Sequence, residues 1–212
     1  CAFLDGVHTE KVVGAMDRSG GYANGQQAHR AQWNRARLGE CLMLIEENRE
    51  RYETLLGGFQ AAFEEHYFRL MSRKLGLSPP DAANRDLVTA WLQQLQEGKL
   101  DYTQSFRQLA SQLDAGGPPR FGDFETRWLQ RIDRQPGGRE RAAGIMTSAN
   151  PRFIPRNHQV ERAIRAAYEE DLRPCEELRQ VLSAPFDPHP GLEHYAEPPG
   201  ENERVLATFC GT

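Results

Sequence analysis

Cys210 is the first residue in this 212-residue sequence with the makings of chemistry. It stands in Phe209-Cys-Gly-Thr212 at the C terminus, where an exposed thiol becomes reactive if its pKa is lowered. An inert thiol on a flexible tail fits the same string. Cys1, Cys41 and Cys175 form no Cys-x-x-Cys pair with it or with each other, and no zinc spacing is matched. Cys41 lies in the apolar run Cys-Leu-Met-Leu-Ile and is expected to be a buried thiol. His189, Glu193 and His194 are metal-ligating types, but they fall among prolines, and Asp187 completes no ligand pattern with them. Gly20-Gly-Tyr-Ala-Asn-Gly25 is glycine-rich yet lacks the GxGxxG spacing, a P-loop lysine and a preceding strand, so it reads as a mobile loop. His66, after Glu64-Glu65, reads as part of a solvated face. Nucleophile, base and acid sets do not follow from spacing, because such groups meet only in the fold.

The elements that must position these residues are mostly helical. Residues 1–29 read as loop, punctuated by Gly6, Gly14, Gly20, Gly21 and Gly25. A helix is predicted from about Ala31 to Ile45, with Trp33, Leu38, Leu42 and Ile45 on one stripe. A longer helix follows, whose Leu55, Phe59, Ala62, Phe63, Leu70, Met71 and Leu75 read as core, with Gly57-Gly58 as its bend or break. Gly76-Leu-Ser-Pro-Pro-Asp81 is a break. Asn84 is predicted to cap the next helix, which carries Leu87, Val88, Trp91, Leu92 and Leu95 and ends at Gly98. Asp101 with Gln104 resembles a capping box for a helix to about Leu113. Phe121, Phe124, Trp128, Leu129 and Ile132 mark another helix, and Pro136-Gly-Gly138 precedes one ending near Ser148.

The string Asn150-Pro-Arg-Phe-Ile-Pro-Arg-Asn-His158 comes next. Pro151 and Pro155 push the residues before them out of helix, and Asn157 is predicted to cap the helix that follows, with Glu161 in its first turn. One helix then carries Val160, Ile164, Ala167 and Tyr168, and another Leu178, Val181 and Leu182. From Pro185 onward the composition reads as an extended tail over the body. The strongest breaks are at Ser78 and Gly116, and the sequence shows no internal repeat or sustained heptad.

Composition narrows the classes. Hydrophobic residues are 39% and charged residues 26%, ordinary for a globular chain long enough for one ample core. The mean hydropathy of -0.69 is on the polar side, consistent with long loops or a lost partner surface. With net charge -4 and no basic block, nucleic-acid binding is not expected. No apolar run reaches membrane-span length, and no signal-peptide pattern opens the sequence, so no membrane partner is expected. Because the first residue is Cys1, we expect a piece of a longer protein. The residues themselves thus give a mainly α class and a tail thiol, but no activity.

Several strings, in order, resemble the C-terminal part of the selenoprotein O family. Cys1-Ala-Phe3-Leu-Asp5 resembles the stretch after that family's Asp-Tyr-Gly-Pro motif, and Asp17 to Tyr22 its D-x-x-G-x-Y stretch. Trp33-Asn34 with Arg37 matches W-N-x-x-R. Asp101 to Leu109, including Phe106 and Arg107, matches D-Y-T-x-x-F-R-x-L. Asn150-Pro151 through Arg156-Asn157 matches NP-x-x-I-x-RN, and Pro198-Pro199 precedes the terminal Phe209-Cys-Gly-Thr. The resemblance implies a protein-kinase-like fold that transfers AMP from ATP, with Mg2+ or Mn2+, to hydroxyl side chains of proteins. It implies that the glycine-rich loop, the Lys–Glu pair, the catalytic Asp and the metal-binding Asn and Asp precede Cys1, so no catalytic, ATP or metal residue is assigned here.

What remains would be an activation-segment-like loop (1–29), a helical C-lobe with a family-specific extension (30–184) and an extended tail (185–212). The implied partners are an N-terminal kinase-like part in cis and protein substrates. The implied location is cytoplasmic in a bacterium, or an organelle in a eukaryote. The resemblance also implies a redox role for Cys210, which in some members is tied to an activation-segment cysteine. That position is Val13 here, leaving Cys1 as the alternative nearby in sequence. Gln26-Gln-Ala28 stands where the family usually has Asn-Gln-Pro, removing a rigid helix start.

Two readings stand side by side: the C-terminal half of an adenylyltransferase, inactive alone, or a non-catalytic helical docking or redox-regulatory module. An unrelated all-α scaffold would require the ordered matches to be accidental. On the enzyme reading, the piece by itself exposes part of the stripe around Trp33 or Phe59 and Phe63.

Overall fold

The computed structural model describes residues 4–8, 12, 23–78, 81–115 and 117–205, with only the main chain of Asn24, Ala82 and Ala83. Among them it is mainly α, as the periodicity predicts. The helices are α1 (Gln27–Leu42), α2 (Arg49–Gly57), α3 (Phe59–Lys74), α4 (Ala82–Glu97), α5 (Tyr102–Ser111), α6 (Gly122–Asp133), α7 (Gly138–Ala149), α8 (Asn157–Tyr168) and α9 (Arg173–Ser183). The chain divides into two compact units, one of residues 1–7 and 70–206, the other of residues 8–69 and 207–212.

The first unit is built on α4 to α7. Trp91, Leu95, Phe106, Leu109, Trp128, Ile132 and Met146 have no exposed surface. Trp91 stacks on Phe124 at 4.9 Å between centroids and meets Phe106 and Phe121 edge-on at 5.7 and 5.0 Å. These contacts explain why the stripes of three helices converge: large rings bury the most area per residue and prefer such geometries. The turn after α3 is read by side chains from α6 and just beyond it. Trp128 Nε1 donates to Leu75 O at 2.8 Å and Gln135 Nε2 to Gly76 O at 2.8 Å, while Ser78 N donates to Gln135 Oε1 at 3.0 Å. Gly76 is required there: its φ is +70°, and a Cβ would come within 3.0 Å of Ala142 and Met146.

A satellite core joins α8, α9 and the tail, with Phe153, Ala163, Leu178, Val181 and Tyr195 buried together. Tyr195 is fully buried, and its hydroxyl donates to Glu177 Oε2 at 2.9 Å. The tail is therefore more than an extended strap. It turns in short 3-10 segments at Glu193–Ala196 and Glu201–Glu203 and plugs the helix pair with an aromatic ring.

In the second unit, α1 packs on α2 with Gly39 against Tyr52. Arg35 lies 4.7 Å from the Phe59 ring centroid, and Phe59, Phe63, Tyr67 and Phe68 form a run of ring contacts along α3. Phe59 is buried, as predicted, but Leu55 is 64% exposed, and Leu70, where the first unit's part of α3 begins, is 53% exposed.

Several local expectations are corrected. Cys41 is exposed, not buried. Helix α1 ends at Leu42, and the apolar run spills into an uncovered turn where Leu44 and Ile45 are 89% and 86% exposed. Leu38 is exposed as well, and so is Trp33, around which the enzyme reading expects exposure. Of the bend or break expected at Gly57-Gly58, the structure shows the break, between α2 and α3. Asn84 is not the cap of α4: Asp81 is extended and accepts from Asn84 N at 3.0 Å, which places Asn84 inside the first turn, buried. Asn157 is likewise the first residue of α8, because Arg156 holds the extended cap position without a side-chain acceptor. The capping box at Asp101 is one-sided. Asp101 Oδ1 accepts from Gln104 N at 2.7 Å, but Gln104 Nε2 donates to Ala196 O at 3.3 Å.

Candidate functional site

Arg156 has no exposed surface and is the charged centre of the first unit. Prolines 151 and 155 keep the chain between α7 and α8 out of helix, so the arginine leaves the backbone just before α8 starts. Its Nη1 donates to Asp5 Oδ1 at 2.7 Å and Asp101 Oδ2 at 2.8 Å, its Nη2 to Asp101 Oδ1 at 3.1 Å, and its Nε to Ala196 O at 3.0 Å. One planar fork thus ties together the N-terminal segment, the start of α5, the segment before α8 and the tail. Tyr102 N donates to Asp5 O at 2.6 Å, and Gly6 pairs with Asp101 in an antiparallel bridge. Burial opposes the arginine's charge, but the Asp101 and Asp5 carboxylates outweigh it and raise its basicity above the ordinary value.

Next to this node, His158 is buried with Nδ1 unpartnered among the described residues, and Gln159 Nε2 lies 3.1 Å from its Nε2. Burial lowers the His158 pKa. Asp5 and Glu203 pull it up, and Arg156 and Arg162 push it down. The imidazole is held neutral against two carboxylates because burial dominates.

Asn150 organises the other end of the segment. Its Nδ2 donates to Lys74 O at 2.8 Å and Met146 O at 3.0 Å, closing the last turns of α3 and α7. Its own carbonyl accepts from Arg107 Nη1 at 3.1 Å. Arg107 is less basic than usual, first through burial and then through Arg152. Beside Asn150 lies a cavity of about 330 Å3 lined by Leu4, Lys74, Tyr102, Thr103, Pro151 and Ile154.

The structure therefore brings together Asp5, Asp101 and Arg156, and separately Arg107 and Asn150. Phe106 is core, Pro151 is cavity wall, and Asn157 opens α8. Trp33, Asn34 and Arg37 lie on α1 in the second unit. Arg30 and Arg37 flank the Trp33 ring at 5.5 and 5.6 Å, and Arg37 pairs with Glu40 at 2.7 Å. Phe3, Cys1, Val13 and Cys210 lie outside the described residues. Sequence reasoning missed Lys74, Ala196 and the buried Glu125, which accepts from Phe121 N at 2.9 Å. The signal for Lys74 was its rarity: the sequence holds only three lysines, Lys11, Lys74 and Lys99, among 26 basic residues.

The Asp5 and Asp101 carboxylates are committed to Arg156, and no group of three His, Cys, Asp or Glu side chains among the described residues is arranged to hold an ion. What the node can do is fix the path of the N-terminal segment.

The family model "Protein adenylyltransferase SelO" matches residues 1–183. Protein nucleotidyltransferase YdiU of Rhodopseudomonas palustris (strain BisB5) is 38% identical over 229 residues, covering all of this chain and 46% of that protein. The YdiU proteins of Bradyrhizobium sp. (strain ORS 278) and Maridesulfovibrio salexigens are 38% and 39% identical, each again covering all of this chain and 46% of the relative. These relatives are named as nucleotidyltransferases of proteins. The chain belongs to the protein adenylyltransferase SelO family. It spans about half the length of the relatives it matches.

Proposed function

We propose that this chain is the C-terminal part of a protein adenylyltransferase that moves AMP from ATP to hydroxyl side chains of proteins. The observation that carries the reading is the family match over residues 1–183 in a chain spanning 46% of its relatives. ATP with Mg2+ or Mn2+ would supply the activated phosphorus, and both would be held by the part in cis that precedes Cys1. The helices here correspond to the C-lobe of a kinase-like fold. Their task is to hold the segment after the metal site, through Asp5 and Arg156, and to present a substrate-side surface. The exposed Trp33, Leu38, Leu44, Ile45 and Leu55 support a surface that the part in cis covers, because patches of this kind mark interfaces. Cys210 adds redox control of the same enzyme. A cytoplasmic location agrees with the bacterial relatives, and no helix among the described residues is long and apolar enough to cross a membrane.

The test is AMP transfer from labelled ATP by the full-length parent and by this chain, with Mg2+ or Mn2+, with and without reductant. Label on protein from the parent but not from this chain supports the assignment. A reductant effect lost on Cys210→Ser supports the redox role. No transfer from a well-folded parent defeats the enzyme reading and leaves a helical docking module.

A further inference from the structure

Lys74 ends α3 and forms part of the wall of the cavity beside Asn150. Its Nζ lies 4.8 Å from the Phe106 ring centroid and 5.4 Å from that of Tyr102. Among the described residues its amine makes one hydrogen bond, a long one of 3.4 Å to Ala149 O, and no described carboxylate stands at ion-pair distance. The neighbouring elements bring the Tyr102 and Phe106 rings to the amine, and Arg107 donates to the backbone carbonyl of Asn150 beside the cavity. In a sequence that uses arginine almost everywhere else, this position holds a lysine, which unlike arginine can give up its proton. Burial lowers the Lys74 pKa to about 8. At pH 7 about a tenth of the amine is then neutral, against about one part in three thousand for an ordinary lysine. The cavity, about 330 Å3, is of small-molecule size, and Leu4, Pro151 and Ile154 give it walls that suit a short acyl chain.

We propose that Lys74 is an acylation site whose amine takes the acyl group of a small activated donor, a thioester or an acyl phosphate, admitted by this cavity. The amine lone pair attacks the carbonyl carbon, and the bond to sulfur or to the phosphate oxygen breaks. Thiolate or phosphate leaves with the electron pair, and the proton released from nitrogen passes to the leaving group or to water. The product is a neutral amide, with no change of oxidation state. The charge over the Tyr102 and Phe106 rings is lost. This site is independent of AMP transfer.

The longest natural chain containing this sequence is treated at neutral pH with acetyl phosphate and, separately, with the acetyl thioester of N-acetylcysteamine. Modified sites are then timed by peptide mass spectrometry. Lys99, which is exposed, serves as the internal reference. The expected result is modification of Lys74 at least about tenfold faster than Lys99, with the preference abolished in concentrated urea. Reaction with one donor only identifies the source of the acyl group. Ile154→Phe, which narrows the cavity, is expected to slow Lys74 severalfold and leave Lys99 unchanged, with circular dichroism confirming the fold. Equal rates at Lys74 and Lys99 in the native chain, or a preference that survives urea, overturn the proposal without any variant. An unchanged Lys74 rate in a folded Ile154→Phe protein overturns entry through the cavity.

Discussion

In the unit containing α1 and α2, Trp33, Leu44, Ile45 and Leu55 are 47%, 89%, 86% and 64% exposed. In the unit built on α4 to α7, Trp91, Phe106, Trp128 and Ile132 have no exposed surface. Both sets recur at helical spacing. The difference teaches that an amphipathic period announces a face and says nothing about what covers it. The buried set meets partner rings and carbonyls from three other elements, whereas α1 and α2 have mainly each other.

The largest expected effect separates the two regions. Trp128→Ala is expected to cost about 3–5 kcal/mol in urea unfolding, since it empties a closed site and strands the Leu75 carbonyl. Trp33→Ala should cost about 1 kcal/mol or less in this chain and distinctly more in the full-length parent, where the proposed cis surface covers it. Equal costs of Trp33→Ala in the two proteins would remove the case for that cover.

Next is the buried arginine. Arg156→Met leaves two carboxylates without their cation and is expected to cost about 3 kcal/mol. Pairing it with Asp5→Asn and Asp101→Asn should recover much of the loss. A triple variant no more stable than the single one would mean that shape, not charge, is what Arg156 contributes. Asp101→Ala removes a helix cap as well as an ion-pair partner, and the cap alone is worth about 1 kcal/mol. The helix signal of α5 in a thermal melt should therefore fall ahead of the rest.

The smallest effects are in pH. His158 binds its proton less readily folded than unfolded. Stability is then unaffected above its unfolded value of about 6.5 and falls as pH drops below it, where only the unfolded chain takes up the proton. His158→Gln should flatten that acid arm. Lys74 gives an alkaline counterpart. Between its folded pKa of about 8 and the ordinary 10.5, the unfolded chain holds more protons, so stability rises with pH across that window. Lys74→Met should abolish the rise, and an unchanged slope would place the titrating group elsewhere.

Much of the local structure was legible. The stops at Gly76, Gly98 and Pro136-Gly-Gly138 fall where helices end or begin, because glycine and proline act on the backbone itself. Caps were less legible. Asp81, not Asn84, took the role, since both are good acceptors and only the path of the chain after Ser78 decides which one stands extended. The burial of Cys41 was misjudged for the same reason as the α1 stripe: an apolar run needs a facing surface.

The sequence by itself determined the helices, their breaks and the strings that place the chain in its family, because these depend on backbone preferences and on residue order. Tertiary structure alone decided that Arg156 would meet both Asp5 and Asp101, that Tyr195 would plug α8 and α9 from the tail, and that Lys74 would line a cavity with no described carboxylate at ion-pair distance. Those outcomes join residues as far apart as 5 and 156. A guanidinium can satisfy its five donors in many ways, and only the packed chain brings these two carboxylates and one carbonyl within reach at once.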